Sequence, residues 1–191
     1  FFKFVMVQEG LYFPAAIHLL ANRCCVIIPE RKYSSPQEEV QERAGRNLKE
    51  RLYDLHEQLA AFYAEQLWTF KESPVRQYFD RRDIPEPMAR RFGIGAAPDG
   101  WDNTLQWGAA HGFSVDEMLA AGVIVPSDKN PGRFYDRFRN RLVFPIWNEQ
   151  GKVVAFSART VEAQSDGAKY VNSPETPVFK KSTVLYALRI A

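Results

Sequence analysis

Cysteine is almost missing from this 191-residue chain, and the two that occur, Cys24 and Cys25, are adjacent. Side-by-side cysteines give neither a disulfide framework nor the Cys-x-x-Cys spacing of a zinc site, so both read as buried packing residues in a reducing compartment. Long apolar runs are missing as well. The opening Phe1-Phe2-Lys3-Phe4-Val5-Met6-Val7 breaks at Gln8-Glu9-Gly10 and has no basic region before it. That excludes a signal peptide or a membrane span and reads as a soluble cytoplasmic protein. There is no Asp-x-Asp pair and no Walker loop, and His18, His56 and His111 have no partners at metal or triad spacing. No nucleophile-base pair stands out either. On its own residues the chain reads as a binder of anions or nucleic acid, without a catalytic set and with no metal site.

What is present is ordinary for a globular protein: 46% hydrophobic and 25% charged residues leave no room for a disordered or collagen-like reading. The length suggests one domain, or one domain with appended pieces. The formal charge of +2 neither favours nor excludes a nucleic-acid partner, so the distribution of charge has to decide. The first residue is Phe inside an amphipathic pattern and the last four are Leu188-Arg189-Ile190-Ala191, so both ends read as cut.

Residues 1 to 30 read as two short helices, with Phe1, Phe4 and Val5 and then Ile17, Leu20 and Ala21 as apolar faces, too little for an independent core. After the polar stretch Arg31 to Ser34, Ser35-Pro36 with Glu38 predicts the capped start of a long helix. Val40, Ala44, Leu48, Leu52, Leu55, Leu59, Phe62, Leu67 and Phe70 hold one stripe along it, with the drift of a straight helix docked on a domain rather than of a coiled coil. Ser73-Pro74 predicts a further helix carrying Val75, Tyr78 and Phe79, and Ile84 to Met88 another that ends near Gly93. Gly93-Ile94-Gly95 follows a helix instead of preceding one, which argues against a dinucleotide loop. Asp99-Gly100-Trp101 predicts a turn and then a helix, Ser114 and Glu117 a second capping box, and Gly122 its stop. Strand character begins at Val123. Arg141 to Trp147 and Lys152 to Arg159 predict a hairpin around Asn148-Glu149-Gln150-Gly151, with Pro145 at an edge or bulge. Lys169-Tyr170-Val171 and Thr183 to Tyr186 are further strand signals. The fold class is α+β: a helical N-terminal half with a long linker helix, then a mixed, mainly antiparallel sheet with a basic face.

Charge is uneven. From residue 131 on there are ten basic and five acidic side chains, +5, which leaves −3 for the rest. Within Arg133-Phe134-Tyr135-Asp136-Arg137-Phe138-Arg139-Asn140-Arg141, an extended backbone would put Arg137, Arg139 and Arg141 on one face and Phe138 on the other. A row of guanidinium forks could follow the phosphates of a single strand. The competing reading is a solvated strand face with Asp136 pairing locally. Arg159 and Lys169, beside Tyr170, would reach the same region if the sheet folds back. Asn172 and Ser173 could meet a ribose or phosphate, or serve only as turn residues.

The string Tyr135-Asp136-Arg137-Phe138-Arg139-Asn140-Arg141-Leu142-Val143-Phe144-Pro145-Ile146 resembles a motif of the bacterial DnaG-type DNA primases. Ser157-Ala158-Arg159, Ala168-Lys169-Tyr170-Val171-Asn172-Ser173-Pro174-Glu175-Thr176, Phe179-Lys180-Lys181-Ser182 and Leu185-Tyr186-Ala187-Leu188 follow in the family's order, as do Arg91 to Pro98 and Gly100-Trp101-Asp102 upstream. Ala158, Lys180 and Ser182 depart from the family's glycine, histidine and glycine. The resemblance implies three parts: 1–30, the last helices of a zinc-binding domain; 31–72, a linker and long helix; and 73–191, the N-terminal subdomain of the RNA polymerase core. It also implies a parent nucleotidyltransferase, a DNA-directed RNA polymerase of the replisome at the nucleoid. That parent reads single-stranded template DNA, joins ribonucleoside triphosphates into a primer, and meets a replicative helicase through a missing C-terminal domain. Arg137, Arg139, Arg159, Lys169 and Lys181 would form its groove for template and nucleotide, with Arg141, Tyr170 and Asn172 beside them. Zinc and magnesium would be held outside this stretch, leaving the fragment by itself inactive. Two other readings stay open: a stand-alone module that binds single strands without catalysis, and a structural α+β domain whose basic face is merely solvated.

Overall fold

The computed structural model describes residues 2–8, 13–24, 26, 36–162 and 168–182. Ser35, Cys25 and the strand signal Thr183 to Tyr186 lie outside the described residues. The chain divides into two compact units, Phe1–Arg43 and Ala44–Ala191. In the first, helices α1 (Phe2–Gln8) and α2 (Phe13–Arg23) bury Val5, Ala16 and Ala21, and Phe2 meets Phe13 edge to face at 5.6 Å. Phe4, expected on the apolar face, is 67% exposed, and Cys24, expected to be buried, is exposed just after α2.

Helix α3 (Pro36–Thr69) spans the boundary between the units. Its predicted stripe is docked only in part. Leu52, Leu55, Leu59 and Leu67 are fully buried, whereas Val40 and Phe70 are more than half exposed and Ala44 is exposed. His56 and Tyr63 complete the buried row, at four-residue intervals that keep one face of a straight helix on the sheet. The remaining helices start where the sequence predicts, two of them with side-chain caps. Ser73 Oγ accepts the Arg76 N–H at the head of α4 (Pro74–Asp80), and α5 (Glu86–Arg91) begins after Pro85. Helix α6 (Asn103–Ala110) follows the Asp99 to Trp101 turn, and α7 (Val115–Ala120) carries the complete Ser114/Glu117 box and stops at Gly122, φ +69°.

Two sheets follow. One is a four-stranded sheet in the order β1 (Gly95–Ala97), β4 (Arg141–Trp147), β5 (Val153–Thr160), β6 (Tyr170–Asn172). The other is a ribbon of β2 (Ile124–Pro126) and β3 (Phe134–Asp136). Every pairing is antiparallel, so among the described residues the expected mixed character is absent. Pro145 sits as its missing N–H requires. β1 reaches only Arg141 to Val143, leaving that side of β4 open from Phe144 on, and a register shift falls between Ile146 and Trp147. Gly95 serves packing, not a cofactor: a Cβ there would lie 2.5 Å from the Tyr63 carbonyl carbon, so β1 runs directly against α3.

Register assigns the two faces of the four-stranded sheet. Val143, Phe156 and Ala158 point to α3 and form the main core with Leu52, Leu55, Leu59, Tyr63, Met118 and Phe138. Leu142, Phe144, Ser157, Arg159, Tyr170 and Asn172 share the opposite face. Near β1 that face is covered by Val75, Tyr78 and Phe79 of α4, and toward β6 it opens to solvent, where Tyr170 is 54% exposed.

Candidate nucleic-acid interface

The expected straight row of arginines does not form. Residues 137–140 belong to no strand, and Asn140 takes a left-handed conformation, φ +46°, before β4 begins. Two burial demands account for the path. Phe138 is fully buried, edge to face with Phe156 at 6.0 Å. Asp136, 1% exposed, accepts the Thr104 N–H at 2.7 Å and the Leu105 N–H at 3.0 Å. It thereby caps α6 from a distance, a task that the N-cap residue Asp102 does not perform with its side chain. Burial raises the Asp136 pKa, and the two N–H groups work against that rise. Asp136 is therefore neither solvated nor a local ion-pair partner for the arginines. The Asn140 N–H goes to Pro98 O, which turns the chain toward the other sheet.

Each arginine consequently has its own setting. Arg137 is half-buried and its Nε–H bonds Gly122 O at 2.7 Å; burial lowers its pKa below the ordinary arginine value. Arg139 lies over the Trp101 ring at 4.3 Å and the Tyr135 ring at 5.1 Å, and its guanidinium also bonds the Asp136 carbonyl. Trp101, 65% exposed, meets Tyr135 edge to face, so a guanidinium and two aromatic rings form an open platform. Arg141 bonds the Ala168 and Lys169 carbonyls at 3.1 and 3.4 Å. Its pKa is lowered first by burial and then by the charge of Arg139. Sequence reasoning missed Trp101, although a tryptophan in the polar turn Asp99-Gly100-Trp101-Asp102 is itself a signal.

A second grouping forms on the open sheet face. Arg159 is paired with Tyr170, and Ser157 with Asn172, so three expected site residues stand together through strand register alone. The Arg159 guanidinium lies 5.0 Å from the Tyr78 ring and 5.9 Å from the Tyr170 ring, and its Nε is buried without a hydrogen-bond partner. Arg82 approaches the same Tyr78, donating from Nε to the phenol oxygen at 2.7 Å with its guanidinium 4.9 Å from the ring. Among the described residues neither arginine has a carboxylate partner. Two cations gathered on one tyrosine ring make this a candidate site for an anion such as phosphate. Arg82 was missed; it lies in the turn just after α4, four residues beyond Tyr78. Lys169 and Lys181 are exposed. The Lys169 carbonyl accepts from Thr160 beside Arg141, whereas among the described residues no contact brings Lys181 to the others.

Among the described residues no group of three or more His, Cys, Asp or Glu side chains could hold a metal ion, and no helix is long and apolar enough to cross a membrane. His56 is a core residue, stacked on Phe156 at 5.6 Å with Nδ1 bonded to Leu52 O; burial lowers its pKa to about 4. His111 lies at the surface.

A family model described as the DNA primase catalytic core, N-terminal domain, matches residues 62–191. The chain belongs to that family. The DNA primase of Pseudomonas aeruginosa is 38% identical over 195 residues, covering 97% of this chain and 27% of the relative. The RNA polymerase domain of Mycobacterium tuberculosis primase, solved in complex with a double-stranded DNA oligomer with a 6-nucleotide overhang, is 38% identical. It superposes with a TM-score of 0.67 over 74% of this chain and 44% of that one. The Aquifex aeolicus primase structure, with zinc-binding and RNA polymerase domains, is 27% identical and gives 0.65 over 98% of this chain and 41% of that one. The chain thus spans less than a third of the length of the curated primase, with the α+β fold of primase catalytic cores. The dispersed arginine and aromatic groups are features of a primase-core domain in this chain.

Proposed function

We propose that this primase-core domain is the template- and nucleotide-handling part of a DNA primase, a DNA-directed RNA polymerase that lays short RNA primers on single-stranded DNA. One observation carries the reading. Two separate clusters, Arg139 with Trp101 and Tyr135, and Arg159 with Tyr78, Arg82 and Tyr170, each join to aromatic rings an arginine that has no carboxylate partner among the described residues. Stacked rings hold bases without sequence preference, and guanidinium groups hold phosphates, which is the chemistry of single-strand recognition. With the chain bent at Asn140, the clusters would have different tasks: Arg137 and Arg139 would take the template strand, while Arg159, Tyr170 and Asn172 would take the incoming ribonucleoside triphosphate. Lys169 and Lys181 add charge at the rim.

In the whole primase, magnesium would activate the primer hydroxyl and steady the leaving pyrophosphate; no described residue is assigned to it. Residues 1–30 are proposed as the end of a zinc-binding domain and 73–191 as the polymerase subdomain. A replicative helicase is the proposed partner, and the replisome the place of action.

Fluorescence anisotropy of a labelled single strand across a salt series tests the assignment. Each lost phosphate contact removes about 0.7 from the log-log salt slope. Arg139→Ala and Lys169→Ala are expected to weaken binding and flatten that slope, and unchanged affinity and slope in both would refute the groove. The lack of a carboxylate cluster among the described residues favours a second reading, a binding module without catalysis. Primer synthesis by this chain on added magnesium would exclude that second reading.

A further inference from the structure

Gly122 touches both the Arg137 segment and the Pro174 loop. Its carbonyl accepts the Arg137 Nε–H at 2.7 Å, the hydrogen bond that orients this guanidinium. The Arg137 backbone N–H bonds the next carbonyl, of Val123, at 2.9 Å, so the 122–123 stretch sets both the main chain and the side chain of Arg137. On its other side Gly122 carries the Pro174 ring. A Cβ on Gly122 would fall 2.5 Å from both Cγ and Cδ of Pro174, which leaves no room for a methyl group.

Pro174 is itself fixed. Ser173, 7% exposed, donates its N–H to Phe156 O at 2.9 Å and receives the Phe156 N–H on Oγ at 2.9 Å. Two residues on, Thr176 bridges to Phe179, a residue packed with Val154 and Ala155 of β5. The loop that leaves β6 just after Tyr170 and Asn172 is therefore locked to β5, and its proline rests on the glycine whose carbonyl aims Arg137. A bidentate guanidinium contact needs planar alignment with its phosphate, so a tilt of that carbonyl misdirects the fork.

We infer that Gly122 and Pro174 are positioning residues for template binding: the Pro174 ring, seated on Gly122, holds the carbonyl that aims Arg137 at the strand. The inference rests on Arg137 meeting a template phosphate.

Its test is a double-mutant cycle on this 191-residue chain, read by anisotropy of a fluorescein-labelled oligothymidylate across a salt series. Arg137→Met is expected to lower affinity about threefold and the log-log salt slope by about 0.7, one single-strand phosphate contact. Gly122→Ala should approach the same loss in both readouts, and Gly122→Ala combined with Arg137→Met should bind no more weakly than Arg137→Met alone. Pro174→Ala, which removes Cγ and Cδ, should shift both readouts in the same direction by a smaller amount. Adding Pro174→Ala to Gly122→Ala removes the atoms that the new methyl meets and should recover part of the affinity, while the strain of alanine at φ +69° remains. A lesion of general packing would lower stability without touching the salt slope. The inference is overturned if the Gly122→Ala loss adds in full on the Arg137→Met background, or if Gly122→Ala leaves affinity and slope unchanged. If Arg137→Met alone changes neither readout, the template assignment of Arg137 fails and takes the inference with it. Should Gly122→Ala not fold by circular dichroism, the cycle of Pro174→Ala with Arg137→Met decides, additivity again overturning the inference.

Discussion

Replacing Asp136 by alanine should damage the fold more than replacing any of the arginines in the basic segment. Its carboxylate accepts from Thr104 N at 2.7 Å and Leu105 N at 3.0 Å, with Asp136 and Thr104 each 1% exposed. Truncation leaves both N–H groups at the start of α6 without this acceptor, the Thr104 N–H in a buried position. A lost helix cap costs about 1 to 2 kcal/mol, and a buried donor left unmet about 1 to 3 kcal/mol. The two descriptions concern the same bonds and are not summed. Against them stands the desolvation of the carboxylate, which raises its pKa and which the alanine variant no longer carries. The net expectation is a loss of about 2 to 4 kcal/mol for Asp136→Ala. Asp136→Asn should fall between, because one amide oxygen can accept one of the two N–H groups while the NH2 faces the other. Urea unfolding followed by tryptophan fluorescence reads this region directly, since Trp101 precedes α6 and Trp107 lies within it. A loss below about 0.5 kcal/mol for Asp136→Ala, the range of ordinary surface changes, would refute the capping argument.

Other outcomes follow from the same geometry. His56 is neutral in its fully buried site, with a pKa of about 4, while in the unfolded chain it titrates near 6.5. The unfolded state therefore binds the proton first, and His56 contributes stability that is fully present above pH 6.5 and is lost as pH falls toward 4. The loss amounts to roughly 3 kcal/mol at the low end, and His56→Leu should remove this component from unfolding measured across pH. The Glu117 carboxylate is held down to about pKa 2, first by its hydrogen bond from Arg51, whose Nε lies 2.6 Å away, and also by the Ser114 backbone. Its contribution is present above the unfolded value near 4.3 and fades as pH falls toward 2. Glu117→Gln should lower the thermal midpoint at pH 7 by an amount that corresponds to about 1 kcal/mol, and high salt should shrink the difference. Trp101→Ala is expected to weaken single-strand binding by about 1 to 3 kcal/mol with little change in salt slope, because stacking releases no counterion. A slope change as large as that expected for Arg139→Ala would contradict the stacking role.

Local sequence determined the elements whose signals are local. Ser73-Pro74 and the Ser114/Glu117 box start helices because side-chain oxygens meet N–H groups three residues on. The hairpin around Asn148 to Gly151 follows from two β-rich runs and a turn that four adjacent residues specify. The string from Tyr135 to Ile146 carried the family, and the pairing of Arg159 with Tyr170 follows once β5 and β6 are antiparallel neighbours. Tertiary structure decided the rest. Period-two alternation through Arg137, Phe138 and Arg139 was legible, but the break at Asn140 was not, since it comes from Pro98 and α6, more than thirty residues upstream. The same holds for Asp136, which the sequence places among arginines and the fold places under a helix. Tyr63 and His56 look polar enough for the surface until the sheet covers them, and Tyr63 then bonds Thr104 at 2.9 Å. Arg82 and Arg159, far apart in sequence, become one cationic pair only because α4 lies across the open face of the sheet. Periodicity reports how one element divides between core and solvent; which elements then face each other is set by topology, and on that the position of every charge in this domain depends.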